Sequence, residues 1–146
     1  TPILFRVAAI ADRILDAIFM LQKEVVERMV AAPDSEAYGR LSVMLQYRFA
    51  MALAFRVPPG AFTPPPKVDS AVVVMKPLPA DRPRARDEEL FAKIVMAAFS
   101  QRRKTLRNAV RALVAAEMFV KAGFDPQRRG ETLSVSQFNS LSDAAL

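Results

Sequence analysis

Two stretches carry side chains whose types and spacing suit a planar, negatively charged partner. The first is Phe62 to Ser70, FTPPPKVDS, which sets one aromatic beside Pro64, Pro65 and Pro66, with Lys67, Asp69 and Ser70 close behind. Each proline locks φ and turns its predecessor away from helix, so this loop is stiff and extended. An aromatic on a pre-ordered loop stacks on a base with little loss of entropy, worth about 1–3 kcal/mol per stacked base. Spacing alone also allows a plainer role, with Phe62 a core plug and the prolines the end of a hairpin. The second stretch is Phe99 to Arg111, FSQRRKTLRNAVR. At about 100° per residue, Arg103, Lys104, Arg107 and Arg111 fall on one stripe of a helix, and Leu106, Ala109, Val110 and Leu113 on another. Arg102 falls on the apolar side, which places it before the helix or in its first turn. Such a stripe suits a phosphate backbone, and an ordinary solvated face is the alternative.

Other positions carry less. Gln22-Lys23-Glu24 follows a short apolar run, and Tyr38-Gly39-Arg40 opens a helical pattern. In open α/β sheets ligands bind outside the carboxyl ends of strands, which makes Gln22 a position of interest. Asp12, Asp16, Glu24 and Glu27 show no spacing that singles out a catalytic pair. With four glycines in the chain, no glycine-rich phosphate or dinucleotide loop is present. Cysteine and histidine are both absent. That removes disulfides, thiol nucleophiles, Ser-His triads and nearly every zinc or haem site.

The 146 residues are 52% hydrophobic and 25% charged, enough to bury a core. No apolar run reaches the roughly eighteen residues of a membrane span, and no secretory leader opens the chain. The net charge of +6 and pI of 10.2 permit a polyanionic partner. Residues 1–80 hold 9 basic and 7 acidic side chains, net +2, and residues 81–146 hold 12 and 8, net +4. The excess therefore leans to the second half. Thr1-Pro2-Ile3-Leu4-Phe5 runs straight into helical periodicity without an initiating Met, which reads as a chain entered in mid-fold.

The elements that must hold these residues follow from periodicity. Pro2 suits a first helical turn, and the pattern predicts helix over about 2–11. Ala17 to Leu21 is a continuous apolar run, expected as a parallel-sheet strand buried on both faces. Helix follows over 22–29, with Glu24 and Arg28 as a solvated i,i+4 pair. Leu41, Met44, Leu45 and Phe49 mark another helix from about Tyr38. Strands are expected over 50–57 and 70–75, the second rich in β-branched residues. Residues 79–86, within LPADRPRAR, read as a linker between a sheet domain (1–78) and a helical domain (87–146). In the latter, helices are expected over about 90–99, 103–114 and 115–122, the last stopped by Gly123. A final helix is expected after a Ser134 cap.

Four segments, MLQKEVVERMVAAPDSEAYGRLSVMLQYR, FTPPPKVDSAVV, AFSQRRKTLRNAV and RRGETLSVSQF, resemble in this order the small-subunit ribosomal RNA adenine dimethyltransferase family (KsgA/RsmA). The resemblance covers essentially the whole chain. Antibiotic-resistance relatives that methylate large-subunit rRNA share the proline loop, but RRKTLRN and RRGETLS resemble the small-subunit enzymes. It implies an α/β fold: the distal part of a Rossmann-like class I methyltransferase sheet, then a small all-helical domain. The implied activity is transfer of methyl groups from S-adenosylmethionine to N6 of two adjacent adenosines near the 3′ end of small-subunit rRNA. The implied setting is cytoplasmic ribosome biogenesis by a monomer acting on the immature small subunit, with no metal and no membrane. In that family the cofactor loop, the acidic ribose-binding residue and the Asn-Leu-Pro-Tyr motif lie upstream of the segment resembling Thr1-Pro2, so the cofactor is expected to be held mainly outside this chain. Position by position, Phe62 resembles the aromatic that packs on the extruded adenine, and Pro64, Pro66, Lys67, Val68 and Ser70 match the rest of its loop. Arg102, Arg103, Lys104 and Arg107 match the basic segment that contacts rRNA, with Arg111 on the same stripe. Gln22 and Glu24 match structural support beneath the active site. Aromatic and cations are expected to form one surface, and the chain alone is expected to be inactive. Two rivals to the enzyme are a non-catalytic RNA-binding or ribosome-assembly module and an organellar transcription factor derived from the same fold.

Overall fold

The computed structural model describes residues 2–11, 14, 16–101 and 103–146. Pro2 opens helix α1 (Pro2–Ala9), where its missing N–H leaves no hydrogen bond unmade. Strand β1 (Ala17–Gln22) leads directly into α2 (Lys23–Met29). The ion pair on α2 joins Lys23 and Glu27 at 3.5 Å rather than Glu24 and Arg28. Gly39 precedes α3 (Arg40–Gln46), its N–H donating to Ser42 Oγ at 3.1 Å. The Ser42 hydroxyl donates in turn to the Arg28 carbonyl at the end of α2. Strand β2 (Phe49–Val57), a 3-10 turn at Pro59–Ala61 and strand β3 (Ser70–Pro77) complete the sheet.

The strand order is β1-β3-β2, and both pairings are antiparallel. This corrects the expectation for β1. It runs in the same direction as β2, but β3 lies between them, so β1 has no parallel neighbour among the described residues. Nor is it buried on both faces. Ala17, Phe19 and Leu21 turn toward the helices, while Ile18 and Met20 are 66% and 52% exposed. The reason is plain: when inward and outward positions are both apolar, the sequence cannot say which face is covered. Ala71, Val73 and Met75 of β3 are buried in one cluster with Leu4, Val26, Met29, Leu41 and Leu45. A bulge near Ala54 shifts the β2–β3 register between Leu53 and Phe55.

After the strap of residues 78–87, α4 (Glu88–Ser100) begins at an N-cap Asp87 whose carboxylate accepts Leu90 N–H at 3.0 Å. The expected helix over 103–114 is a second correction: only α5 (Leu106–Ala109) is helical, and residues 110–113 are turns. Thr105 caps α5, accepting the Asn108 N–H at 3.5 Å. Its first two residues donate to another segment, Leu106 N–H to Arg128 O at 2.6 Å and Arg107 N–H to Pro126 O at 3.4 Å. These bonds fix where the helix starts. α6 (Ala116–Lys121) ends before Gly123 at φ 80°, a left-handed stop suited to glycine. Ser134 caps α7 (Val135–Ala144) as expected, in a capping box with Gln137. No helix among the described residues is long and apolar enough to cross a membrane.

A second cluster gathers Tyr38, Tyr47, Phe91, Ile94, Leu106, Phe119, Phe138 and Leu141. α3 serves both clusters: Leu41 and Leu45 face the sheet, and Val43 faces the helices. Gly130 passes so close to α4 that an added Cβ would meet Ala98 Cβ at 3.0 Å. Nearby, the buried Tyr38 hydroxyl donates to Leu133 O at 2.7 Å, and Asp34 N–H to Glu131 O at 2.8 Å.

Burial pushes the Tyr38 phenol up to about 12 from its ordinary 10. A pKa raised on folding means the stabilisation is complete below pH 10 and is lost as pH climbs toward the folded value. Tyr38→Phe is expected to lower stability by about 1 kcal/mol in urea unfolding at pH 7. It is also expected to flatten the decline in stability of the parent chain between pH 10 and 12.

Candidate functional site

Phe62 stands where β2 has ended and β3 has not begun. Pro58 and Pro59 set the turn before it, with Ala61 N–H donating to Pro58 O at 3.1 Å and Phe62 N–H to Pro59 O at 3.2 Å. The Thr63–Pro64 peptide bond is cis. The ring is half-buried and lines an open cleft of about 420 Å³ with Met20, Pro64, Pro65, Pro66 and Ser70. Apart from the Ser70 hydroxyl this wall is apolar. Such a wall can take the face of a flat ring and leave that ring's polar edge to other groups.

The base of the loop is fixed to the sheet. Gln22 pairs with Ser70 at the end of the β1–β3 ladder, and Lys23 N–H donates to Asp69 O at 2.9 Å. A second shallow cleft, about 280 Å³, adjoins these residues and is lined by Gln22, Lys23, Glu24, Glu27, Val68 and Asp69. Gln22 therefore does sit at a strand end beside clefts. Among the described residues its neighbouring strand, β3, is antiparallel. Lys67 is exposed on the loop and lines neither cleft.

The cations lie elsewhere. Arg103 occupies a turn, Lys104 a bend, Arg107 the short α5 and Arg111 the turns after it, and all are exposed. The helical stripe thus becomes a compact knuckle with one helical turn in it. What orients the knuckle is the burial of Leu106, Val110 and Val114 at four-residue spacing in the second cluster. Among the described residues none of the four cations makes an ion pair. Arg102 lies outside the described residues. None of Lys67, Arg103, Lys104, Arg107 and Arg111 lines the Phe62 cleft. The knuckle belongs to the helical core through Leu106, while the proline loop belongs to the sheet.

One cluster escaped the sequence reading. The Tyr47 hydroxyl accepts Ala85 N–H at 2.8 Å, and nearby the Glu88 carboxylate meets Arg84 at 3.2 Å and Arg48 at 3.7 Å. Burial raises the Tyr47 pKa, reinforced by the neighbouring Glu88. Burial also works to raise that of Glu88, but hydrogen bonds from Tyr47 and Arg84 and the charges of Arg48 and Arg84 prevail and hold it below the ordinary value. The available signal was Tyr38 and Tyr47 themselves, placed at apolar positions where a buried phenol needs a partner.

Residues 1–145 match the sequence model of the ribosomal RNA adenine dimethylase family. Curated relatives named ribosomal RNA small subunit methyltransferase A include those of Aromatoleum aromaticum, 55% identical over 98% of this chain and 54% of the relative, and Laribacter hongkongensis, 57% identical over 98% and 55%. That of Thiobacillus denitrificans is 55% identical over 97% of this chain and 55% of its own length. The chain thus spans about half the length of the relatives it matches. Among solved structures, a dimethyladenosine transferase from Plasmodium falciparum superposes with a TM-score of 0.77 at 22% identity, over 96% of this chain and 60% of that one. The 23S rRNA methyltransferase ErmE gives 0.62 at 19% identity, over 89% and 54%. At such identities the likeness is one of fold. The fold is the α/β class expected, the distal part of a Rossmann-like methyltransferase sheet followed by helices. The chain belongs to the ribosomal RNA adenine dimethylase family.

If Phe62 is a surface platform, its truncation is cheap. Phe62→Ala is expected to lower stability by no more than about 1.5 kcal/mol. Phe91→Ala, in the buried cluster, is expected to lower it by about 3–5 kcal/mol. Chemical denaturation of the two variants side by side checks the contrast.

Proposed function

We propose that this chain is the RNA-engaging part of an enzyme that dimethylates N6 of two adjacent adenosines near the 3′ end of small-subunit rRNA. The methyl donor in this reading is S-adenosylmethionine. The observation that carries it is an apolar cleft built on a proline loop, together with a knuckle of four exposed cations that form no ion pair among the described residues, in a chain of this family. N6 of adenine lies within pairing and stacking until its nucleotide is extruded, and an extruded base needs a face to rest on. Phe62 provides that face, with Met20 and the prolines around it. Arg103, Lys104, Arg107 and Arg111 hold flanking phosphates at a distance from the cleft, so a folded RNA rather than a mononucleotide is the natural substrate. Lys67 adds a cation beside the cleft, and Arg102 extends the knuckle in sequence.

In this reading the methyl donor is held mainly outside this chain. The four glycines, Gly39, Gly60, Gly123 and Gly130, lie far apart in sequence and build no glycine-rich loop. No step is therefore assigned to the donor on this chain. Holding it falls to the part of the relatives' length that lies outside the match, and the helical part of this chain serves the RNA. The division into a sheet domain to residue 78, a strap over 79–86 and a helical domain from 87 fits that sharing of roles. The open sheet face agrees with it as well. Across it, Ile18 and Met20 of β1 meet Val74 and Val72 of β3, and Phe55 is 57% exposed beyond them. The same reading makes the protein a monomer working in the cytoplasm on the immature subunit.

Reversing two charges tests the cationic knuckle. Arg103→Glu with Arg107→Glu is expected to weaken binding to a fragment of the small-subunit rRNA 3′ end. The slope of log K against log salt is expected to flatten by roughly 0.7–0.9 for each phosphate that is no longer neutralised. Identical affinity at every salt concentration would remove the knuckle from the interface. Isothermal titration of the 146-residue chain with S-adenosylmethionine is expected to give no heat of binding. Tight binding would overturn the assignment of the donor site to another segment.

A further inference from the structure

Residues 79–86 read as a spacer, yet they are tied down along their length. Leu78 N–H donates to Arg48 O at 2.8 Å, Arg82 Nε to Tyr47 O at 3.1 Å, and Ala85 N–H to the Tyr47 hydroxyl at 2.8 Å. At the far end Arg86 N–H donates to the Asp143 carboxylate of α7 at 2.9 Å. The first three of these bonds end on two consecutive residues just past α3. Tyr47 is the hub. Its ring centre lies 4.4 Å from that of Phe91, and the Arg48 and Arg82 guanidinium carbons lie 5.6 and 5.7 Å from it. Its hydroxyl binds the strap at Ala85, while Glu88, the first residue of α4, pairs with Arg84 of the strap and with Arg48.

Ring and hydroxyl have separable tasks. The ring is buried against Phe91 and holds the helices to α3 whether or not it bears an oxygen. The hydroxyl is directional: it fixes where the strap crosses and how α4 departs. We propose that Tyr47 is a positioning residue, whose hydroxyl, accepting Ala85 N–H beside the Arg84–Glu88–Arg48 ion pairs, sets one angle between the cationic knuckle and the Phe62 cleft before RNA arrives. This deepens the function proposed above and rests on it, since an angle between two surfaces matters only if one RNA touches both. With the angle set during folding, binding need not order it, and affinity gains by that cost.

The chain has no cysteine, so nitroxide labels can be placed cleanly at Arg56→Cys on β2 and Val120→Cys on α6, both exposed. Electron-electron double resonance on the labelled 146-residue chain should give a single narrow distance distribution. Tyr47→Phe and Glu88→Gln should each widen it at least about two-fold, while the melting temperature of Tyr47→Phe moves by no more than about 4 °C. Affinity for the rRNA 3′ fragment should fall about five-fold in the same variants, a modest coupling between distant sites. A distribution already broad in the parent, or equally narrow in both variants, overturns the proposal, as does widening that leaves RNA affinity intact. If the parent chain fails to bind the fragment at all, the functional reading falls with it, while the distances still decide whether the hydroxyl sets the angle.

Discussion

Helix α3 has to satisfy two hydrophobic cores at once, and the rest of the architecture follows from that demand. On its sheet side Leu41 and Leu45, one turn apart, close the core over β3 with Val26, Met29 and Val73. On its far side Val43 and, just past its end, Tyr47, again one turn apart, enter the core built by α4, α5, α6 and α7. Full burial of a side chain of this size is worth about 1.5–3 kcal/mol, so neither face can be left wet. The helices are therefore seated on the sheet side of the molecule through a shared element, and the polar contacts of Tyr38, Tyr47 and Glu88 refine how they sit. A substitution in α3 is felt in both halves for that reason.

That seating explains the separation of the two surface features. The knuckle with Arg103, Lys104, Arg107 and Arg111 is fixed by the burial of Leu106 in the helical core, while the proline loop is fixed by the Gln22–Ser70 pairing and the Lys23–Asp69 bond of the sheet. The cleft is thus built on the sheet and the exposed cations on the helical core. Exposed cations without carboxylate partners cost little in water, and their field weakens with salt over about 8–10 Å. Among the described residues, the carboxylates that do form ion pairs, Glu27, Glu88 and Glu89, lie on other surfaces.

The elements were largely legible because most local signals agreed. Ser134 three residues before Gln137, Pro2 at a helix start, Gly123 at a helix stop and the β-branched run from Val72 to Val74 each name their own local structure. Two features were not legible. The periodicity of Arg103 to Leu113 is helical, but only Leu106–Ala109 is helix there, its first N–H groups bonded to Arg128 O and Pro126 O. The strap over 79–86 looks like a flexible linker by composition, yet Tyr47, Arg48 and Asp143 hold it from other parts of the chain.

By itself the sequence determined the periodicities, the caps and stops, the absence of thiol and imidazole chemistry, the basic excess of the second half, and the presence of an aromatic on a stiff proline loop. All of these depend on residues near one another in the chain or on composition alone. Tertiary structure decided that β3 lies antiparallel between β1 and β2, that Phe62 lies in a cleft rather than a core, and that the Tyr47 hydroxyl takes the Ala85 N–H. Each of those joins groups far apart in sequence, and which distant surfaces meet is settled by how much apolar area the whole chain can bury together.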